Sequence, residues 1–167
     1  MPLVKPKPLA IVERQEKAVA SALSEHMAVV WGPGVTLKPV PAGDVALVLP
    51  SGLFVGFELK TAADLVASIV GPKTKLAAYE PGRCRLDSQL CRMIAHYDRT
   101  VLLVRGELYW GSKSNTIMGR QVSWDAVFNK LLKWQERGVI VQHTSNGSLA
   151  HTVRRIASIA AYWRRVA

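Results

Sequence analysis

Residues Leu53 to Lys60 read Leu-Phe-Val-Gly-Phe-Glu-Leu-Lys, an apolar run that ends in an acid and an amine two positions apart. Extended backbone sends successive side chains to opposite faces, so Glu58 and Lys60 share one face while Leu59 turns to the other. These charges sit at the edge of a core, where ionised groups are costly unless paired or used. Gly43-Asp44 precedes them, with thirteen residues between Asp44 and Glu58. Two carboxylates of this kind suit a hard divalent cation such as Mg²⁺ or Mn²⁺, which takes oxygen ligands and lowers the pKa of a bound water. Asp44 and Glu58 are the expected ligands, with the Leu59 carbonyl as a third. Lys60 is placed to position or deprotonate an attacking water and to stabilise charge on phosphorus. The outline is that of a metal-dependent phosphodiesterase.

The charge balance agrees with a polyanionic substrate. The 167 residues carry 22 Lys+Arg against 12 Asp+Glu, a formal +10, and an excess of that size favours nucleic acid through counterion release and steering. The length fits a single domain over residues 1–167 with a substantial core. No run of 18 apolar residues exists to span a membrane. The basic, proline-rich start lacks the apolar core of a secretory signal, so a cytoplasmic protein is expected. Cys84 and Cys91 match neither a zinc spacing nor a disulfide framework and are expected to be reduced thiols.

Hydrophobic periodicity predicts an α/β fold, a central mixed sheet flanked by helices. Strands are expected at Leu9 to Val12, Val35 to Val40, Asp44 to Leu49 and Leu53 to Lys60, the last two joined by the Pro50-Ser51-Gly52 turn as a hairpin. Further strands follow at Thr100 to Val104, Leu108 to Trp110 and Val139 to His143. Helices are expected at Gln15 to Met27, Asp64 to Val70 and Arg85 to Tyr97. A fourth runs from an N-cap at Ser123 to Gln135, with Gly138 ending it. The last opens after Asn146-Gly147-Ser148 and carries Leu149, Val153, Ile156, Ala160 and Trp163 at helical spacing. Gly71 to Gly82, with Lys73, Lys75 and Tyr79, reads as a loop or small lid.

Projected at about 100° per residue, Arg85 to Tyr97 places Leu86, Leu90, Met93, Ile94 and Tyr97 on one sector. Arg85, Gln89, Arg92 and His96 form a narrow stripe beside it. That stripe is either a solvated face or a row of phosphate contacts flanking the site.

These motifs in this order resemble the nuclease domain of the XPF and Hef family of structure-specific endonucleases. The family signature, Gly-Asp, a spacer, Glu-Arg-Lys, three residues and Asp, reads here Gly43-Asp44, Glu58-Leu59-Lys60, Asp64. Asp64-Leu65-Val66-Ala67-Ser68-Ile69 is similar to its Asp-Leu-x-x-Ser-Ile, and Gly82-Arg83 with Arg85-Leu86-Asp87-Ser88-Gln89 to its Gly-Arg-Leu-x-x-Gln. Val101-Leu102-Leu103-Val104 matches the buried strand that follows. Val12-Glu13-Arg14-Gln15-Glu16 is similar to the family's Val-Asp-x-Arg-Glu and implies Glu13 and Glu16 as further acids near the metal. The similarity covers residues 9 to about 108.

The resemblance implies a restriction-endonuclease-like fold and a Mg²⁺- or Mn²⁺-dependent enzyme that cuts branched or junction DNA in repair, recombination or the resolution of replication intermediates. Asp44, Glu58, Lys60, Glu16 and Asp64 are the implied catalytic set, with Asp64 either behind the ligands or capping its helix. Lys73, Lys75, Arg83, Arg85, Gln89 and Arg92 are the candidate DNA contacts. A homodimer is also implied, with the helices of residues 123–167, and the apolar last helix above all, as its surface. Departures are Leu59 for the family's Arg, Gln15 for an Arg, Arg105 where an acid often follows the strand, an insertion from Gly71 to Pro81, and no following helix-hairpin-helix module. The one-domain form suggests a phage or mobile-element enzyme. The alternatives are a non-catalytic DNA-binding scaffold of the same fold, and a four-way-junction resolvase or nickase of the wider superfamily.

Overall fold

The computed structural model describes residues 9–30, 35–70, 84–107, 116–117 and 120–166. Six strands form one mixed sheet: β1 (Leu9–Val12), β2 (Val35–Leu37), β3 (Val45–Val48), β4 (Phe54–Thr61), β5 (Arg99–Arg105) and β8 (Val139–Thr144), in the order β2-β1-β3-β4-β5-β8. β3 pairs antiparallel with β1 and β4, and the β1–β2, β4–β5 and β5–β8 pairs are parallel. The β3–β4 hairpin turns where expected, at Gly52 with φ +86°. β6 (Thr116–Ile117) and β7 (Arg120–Gln121) form a separate two-stranded ribbon.

Alternation along β4 sorts the core into two layers. Val55, Phe57 and Leu59 face a cluster built from α1 (Lys17–Val30) and α5 (Leu149–Val166), with Val19, Leu23, Val153, Ile156 and Trp163. The opposite face meets α2 (Ala62–Val70), α3 (Arg85–His96) and α4 (Trp124–Glu136), through Leu65, Leu86, Leu90, Met93 and Trp134. Asp87 ties α3 to α4. Its carboxylate accepts from Lys130 Nζ at 2.5 Å, Trp134 Nε1 at 3.0 Å and the Cys84 backbone N–H at 3.1 Å. Burial opposes ionisation, but the Lys130 ammonium and the hydrogen bonds from Cys84 outweigh burial and hold the Asp87 carboxyl below the ordinary range.

Several expectations are corrected. α2 begins at Ala62 rather than Asp64 because Thr61 caps it: Thr61 Oγ1 accepts the Asp64 N–H at 3.1 Å and donates to Asp64 Oδ2 at 2.7 Å. α1 starts two residues later than predicted and runs on to Val30, since the 13–16 segment closes a turn in which Glu16 N–H donates to the Glu13 carbonyl at 2.9 Å. β2 stops at Leu37, and the β6–β7 ribbon lies where no strand was expected.

The apolar stripe of α5 does not form an open surface. Val153, Ile156, Ala160 and Trp163 are buried against this chain's own sheet and α1. Ser123 caps α4 as predicted, accepting the Ala126 N–H at 3.1 Å, and Gly138 follows its end at φ +87°. Cys84 and Cys91 are free thiols. The predicted 71–82 loop and the 108–110 strand lie outside the described residues. Among the described residues no helix is long and apolar enough to cross a membrane.

Candidate active site

The Gly-Asp pair is explained by a close approach of three elements. Gly43 adopts φ +81°, and a Cβ there would stand 2.8 Å from the Phe57 carbonyl oxygen and 2.9 Å from Met93 Cε. Glycine is required on both counts. The turn is held from two sides: Tyr97 Oη donates to the Ala42 carbonyl at 2.5 Å, and Asp44 N–H donates to the Phe57 carbonyl at 2.9 Å. Asp44 Oδ2 accepts the Leu59 N–H at 2.7 Å, which extends the β3–β4 ladder with a side chain.

The register Val45↔Phe57 sets Asp44 next to Glu58 across the hairpin. Glu58 is 1% exposed and Lys60 8%. Glu58 Oε1 accepts from Lys60 Nζ at 2.6 Å and from Gln89 Nε2 at 2.8 Å. The residues two apart on β4 thus form a buried ion pair on the face toward α2 and α3, and Leu59 turns into the other core. Burial, then repulsion from Glu58, pushes the Asp44 carboxyl from 3.8 up to about 7; the Leu59 N–H opposes this, Glu16 adds to it and Lys60 lowers it.

Other candidate residues divide by position. Glu16 acts on Asp44 through space. Glu13 is turned away, its carboxylate accepting the Arg14 and Val40 N–H groups at 3.0 Å each. Asp64 is exposed at the start of α2 and is engaged by Thr61. Among the described residues no cluster of three His, Cys, Asp or Glu is close enough to hold a metal. Gln89, read as a DNA contact, has its amide on Glu58, and Arg85 and Arg92 are exposed on either side of it along α3. Lys73, Lys75 and Arg83 lie outside the described residues. Tyr97 and Met93, which shape the Asp44 turn, were legible only as core positions.

The oxygen donors fit a hard cation. Asp44 and Glu58 are neighbouring carboxylates, and Gln89 Oε1 is buried beside them with no hydrogen-bond partner among the described residues. An orphaned buried acceptor is uncommon and asks for a donor, a water or an ion. Mg²⁺ is typically held by one or two carboxylates while keeping several waters.

The raised Asp44 proton affinity has a measurable consequence. Asp44 binds its proton more tightly folded than unfolded, so its contribution to stability is full below about pH 4 and is lost as pH rises to about 7. Asn does not ionise and keeps that stability. In EDTA at pH 8, Asp44→Asn is expected to exceed the wild type by on the order of 3 kcal/mol, and the gap should close toward pH 4. Denaturant midpoints at the two pH values check this, and a pH-independent difference would contradict it.

The ERCC4 domain model matches residues 19–159, which includes the whole Asp44, Glu58, Lys60 site and extends into α5. XPF from Aeropyrum pernix superposes with a TM-score of 0.65 at 24% identity, covering 93% of this chain and 65% of that one. XPF from the same organism in complex with DNA gives a TM-score of 0.60 at 22% identity, covering 93% of this chain and 66% of that one. The chain thus spans just under two thirds of those structures' length. No curated protein sequence is significantly similar to it. The match over residues 19–159 places this chain in the ERCC4 domain family, and the mixed sheet that carries the glycine-aspartate turn and the buried Glu58–Lys60 pair has the restriction-endonuclease-like fold shared with XPF.

Proposed function

We propose that this protein is a metal-dependent endonuclease that hydrolyses phosphodiester bonds in branched or junction DNA. The observation that carries the reading is the Glu58–Lys60 pair, buried at 2.6 Å beside an Asp44 whose carboxyl is held near neutrality. A fold does not retain three interacting ionisable groups at the edge of its core without a cost to stability, and such groups cluster where chemistry is done.

Asp44 and Glu58 would hold Mg²⁺ or Mn²⁺, with the Leu59 carbonyl as a further oxygen. When bound, the cation polarises the phosphate and supplies a water of lowered pKa. The protein's own groups do the rest. Glu58 fixes the Lys60 ammonium at the floor of the site. Lys60 orients the attacking water and offers its N–H donors to the phosphate oxygens as negative charge builds there. Gln89 donates to the same Glu58 oxygen as Lys60, which restricts that carboxylate to one orientation. Water attack on phosphorus with departure of the 3′ oxygen leaves a 5′ phosphate. Arg85 and Arg92, exposed on α3 on either side of Gln89, would track the strand toward this point.

The resemblance also carries a homodimer. With the apolar face of α5 used internally, the surface for a second copy is α4, where Phe128 is 56% and Leu132 39% exposed.

The test is a panel of end-labelled flap, fork, four-way-junction and plain duplex DNAs with Mn²⁺ or with EDTA. Cutting of the branched substrates in Mn²⁺, weaker cutting of the duplex and none in EDTA are expected. Binding without product on any substrate would overturn the reading and favour a scaffold.

A further inference from the structure

A basic cavity opens at the same end of the sheet as the carboxylates, beyond β5 and β8. It is about 290 Å³ and open to solvent, and His143, Asn146, His151, Arg154 and Arg155 are among its lining residues. Among the described residues no acidic side chain lines it. His151, Arg154 and Arg155 stand at helix positions i, i+3 and i+4, on one face of the first turns of α5. The apolar positions of that helix, Val153, Ile156 and Ala160, are spent on the core.

Two hydrogen bonds orient the histidines. His143 Nε2 donates to the Gly106 carbonyl at 2.7 Å. Ser148 Oγ accepts the His151 N–H at 3.3 Å and lies 2.9 Å from His151 Nδ1. With Nδ1 paired to Ser148, Nε2 is the ring nitrogen that, when protonated, would be offered to an acceptor.

A second observation points to an anion. Arg105, the last residue of β5, has a buried Nε with no hydrogen-bond partner among the described residues. Register places Thr61, Arg105 and Thr144 in one row, one residue beyond the row Lys60, Val104 and His143. At about 4.8 Å per strand, β8 lies roughly 10 Å from Lys60. Alternation turns Arg105 to the α5 face of the sheet, opposite Lys60, so a strand whose phosphate sits at Lys60 would cross the end of the sheet to bring neighbouring phosphates to Arg105 and the cavity.

We propose that Arg105, His151, Arg154 and Arg155 form a second site that binds backbone phosphates of the DNA strand to one side of the cleaved bond. It rests on the nuclease reading for the identity of that strand. The residues act on binding and register, and the bond is broken elsewhere.

Binding of the full chain to a fluorescein-labelled forked DNA, measured by anisotropy in EDTA across a range of NaCl, tests the site. The Arg154→Ala/Arg155→Ala double variant changes exposed side chains and should fold. It is expected to bind roughly tenfold more weakly at 0.1 M salt, with a log–log salt slope shallower by about 0.9 per lost duplex contact. Arg105→Gln should remove about one contact more. Arg99→Ala removes one charge at the far end of β5, roughly 20 Å along the strand, and is expected to leave the slope unchanged. An unchanged slope in the double variant, or an equal loss per charge in Arg99→Ala, would overturn the proposal. Should the wild type cut none of the DNAs above while the double variant still loses slope, the nuclease reading fails and the phosphate site stands. Should it cut while the double variant keeps the full slope, the phosphate site fails and the nuclease reading stands.

Discussion

Glu58→Gln and Lys60→Ala are each expected to lower single-turnover cleavage of a forked DNA in Mn²⁺ by about 10²- to 10⁴-fold, the range that a positioned acid–base or charge-stabilising group contributes. The two act as a unit. Lys60 Nζ rests on Glu58 Oε1 at 2.6 Å, so removing either leaves the other as an unpaired charge in a site where Glu58 is 1% exposed. The double variant should therefore lose little more than the worse single one. DNA binding in EDTA should stay within a few-fold for both, because most of the phosphate contacts are carried by residues other than Glu58 and Lys60. Cleavage within a factor of about three of wild type in either variant would remove that residue from the chemistry.

The second large effect is on stability. Gly56 lies on the same face of β4 as Glu58, and a Cβ added there would stand only 2.1 Å from Tyr97 Cδ2. That ring is not free to move: it packs edge-on against Phe54 with centroids 4.7 Å apart, and its hydroxyl holds the Ala42 carbonyl. Overpacking plus the lost buried hydrogen bond should make Gly56→Ala cost about 3 kcal/mol, a fall in Tm of roughly 6 to 12 °C. Because Ala42 leads directly into Gly43 and Asp44, activity should also fall at temperatures where the variant is folded. Tyr97→Phe isolates the hydrogen bond and should cost about 1 kcal/mol. A Gly56→Ala protein as stable as wild type would show that the ring yields easily.

How much of this was legible depended on whether the deciding contact was local. The Glu58–Lys60 pair follows from the period of a strand, and its burial from the apolar residues before it. The α4 boundaries follow from Ser123 and Gly138, whose roles are set within one turn. The start of α2 was misjudged because Thr61, the last residue of β4, also serves as its cap, and strand and helix signals overlap on one residue. Glu13 and Glu16 look equivalent in sequence. Only the packing of β1 against β3 and the segment reaching Val40 turns Glu13 away and leaves Glu16 facing Asp44.

Long-range contacts decided the rest. The period of α5 shows that it has an apolar face, and cannot show that α1 and the sheet already cover it. Gln89 sat correctly on the polar stripe of α3, yet its partner is 31 residues away. The glycine of Gly43-Asp44 was recognisable as a motif, while its reason, the Phe57 carbonyl and Met93 pressed against it, required the β3–β4 register and the docking of α3.

We propose that Asp44 and Glu58 form one cation site on which hydrolysis depends. This is tested most directly by titrating Mn²⁺ into the wild type and the Asp44→Asn/Glu58→Gln double variant, each with saturating forked DNA, while following product. The wild type should produce cut DNA with a saturable dependence on Mn²⁺ and none in EDTA, and the double variant should produce none at any concentration although it binds the DNA. Mn²⁺-dependent cutting by the double variant at the wild-type rate would contradict the account.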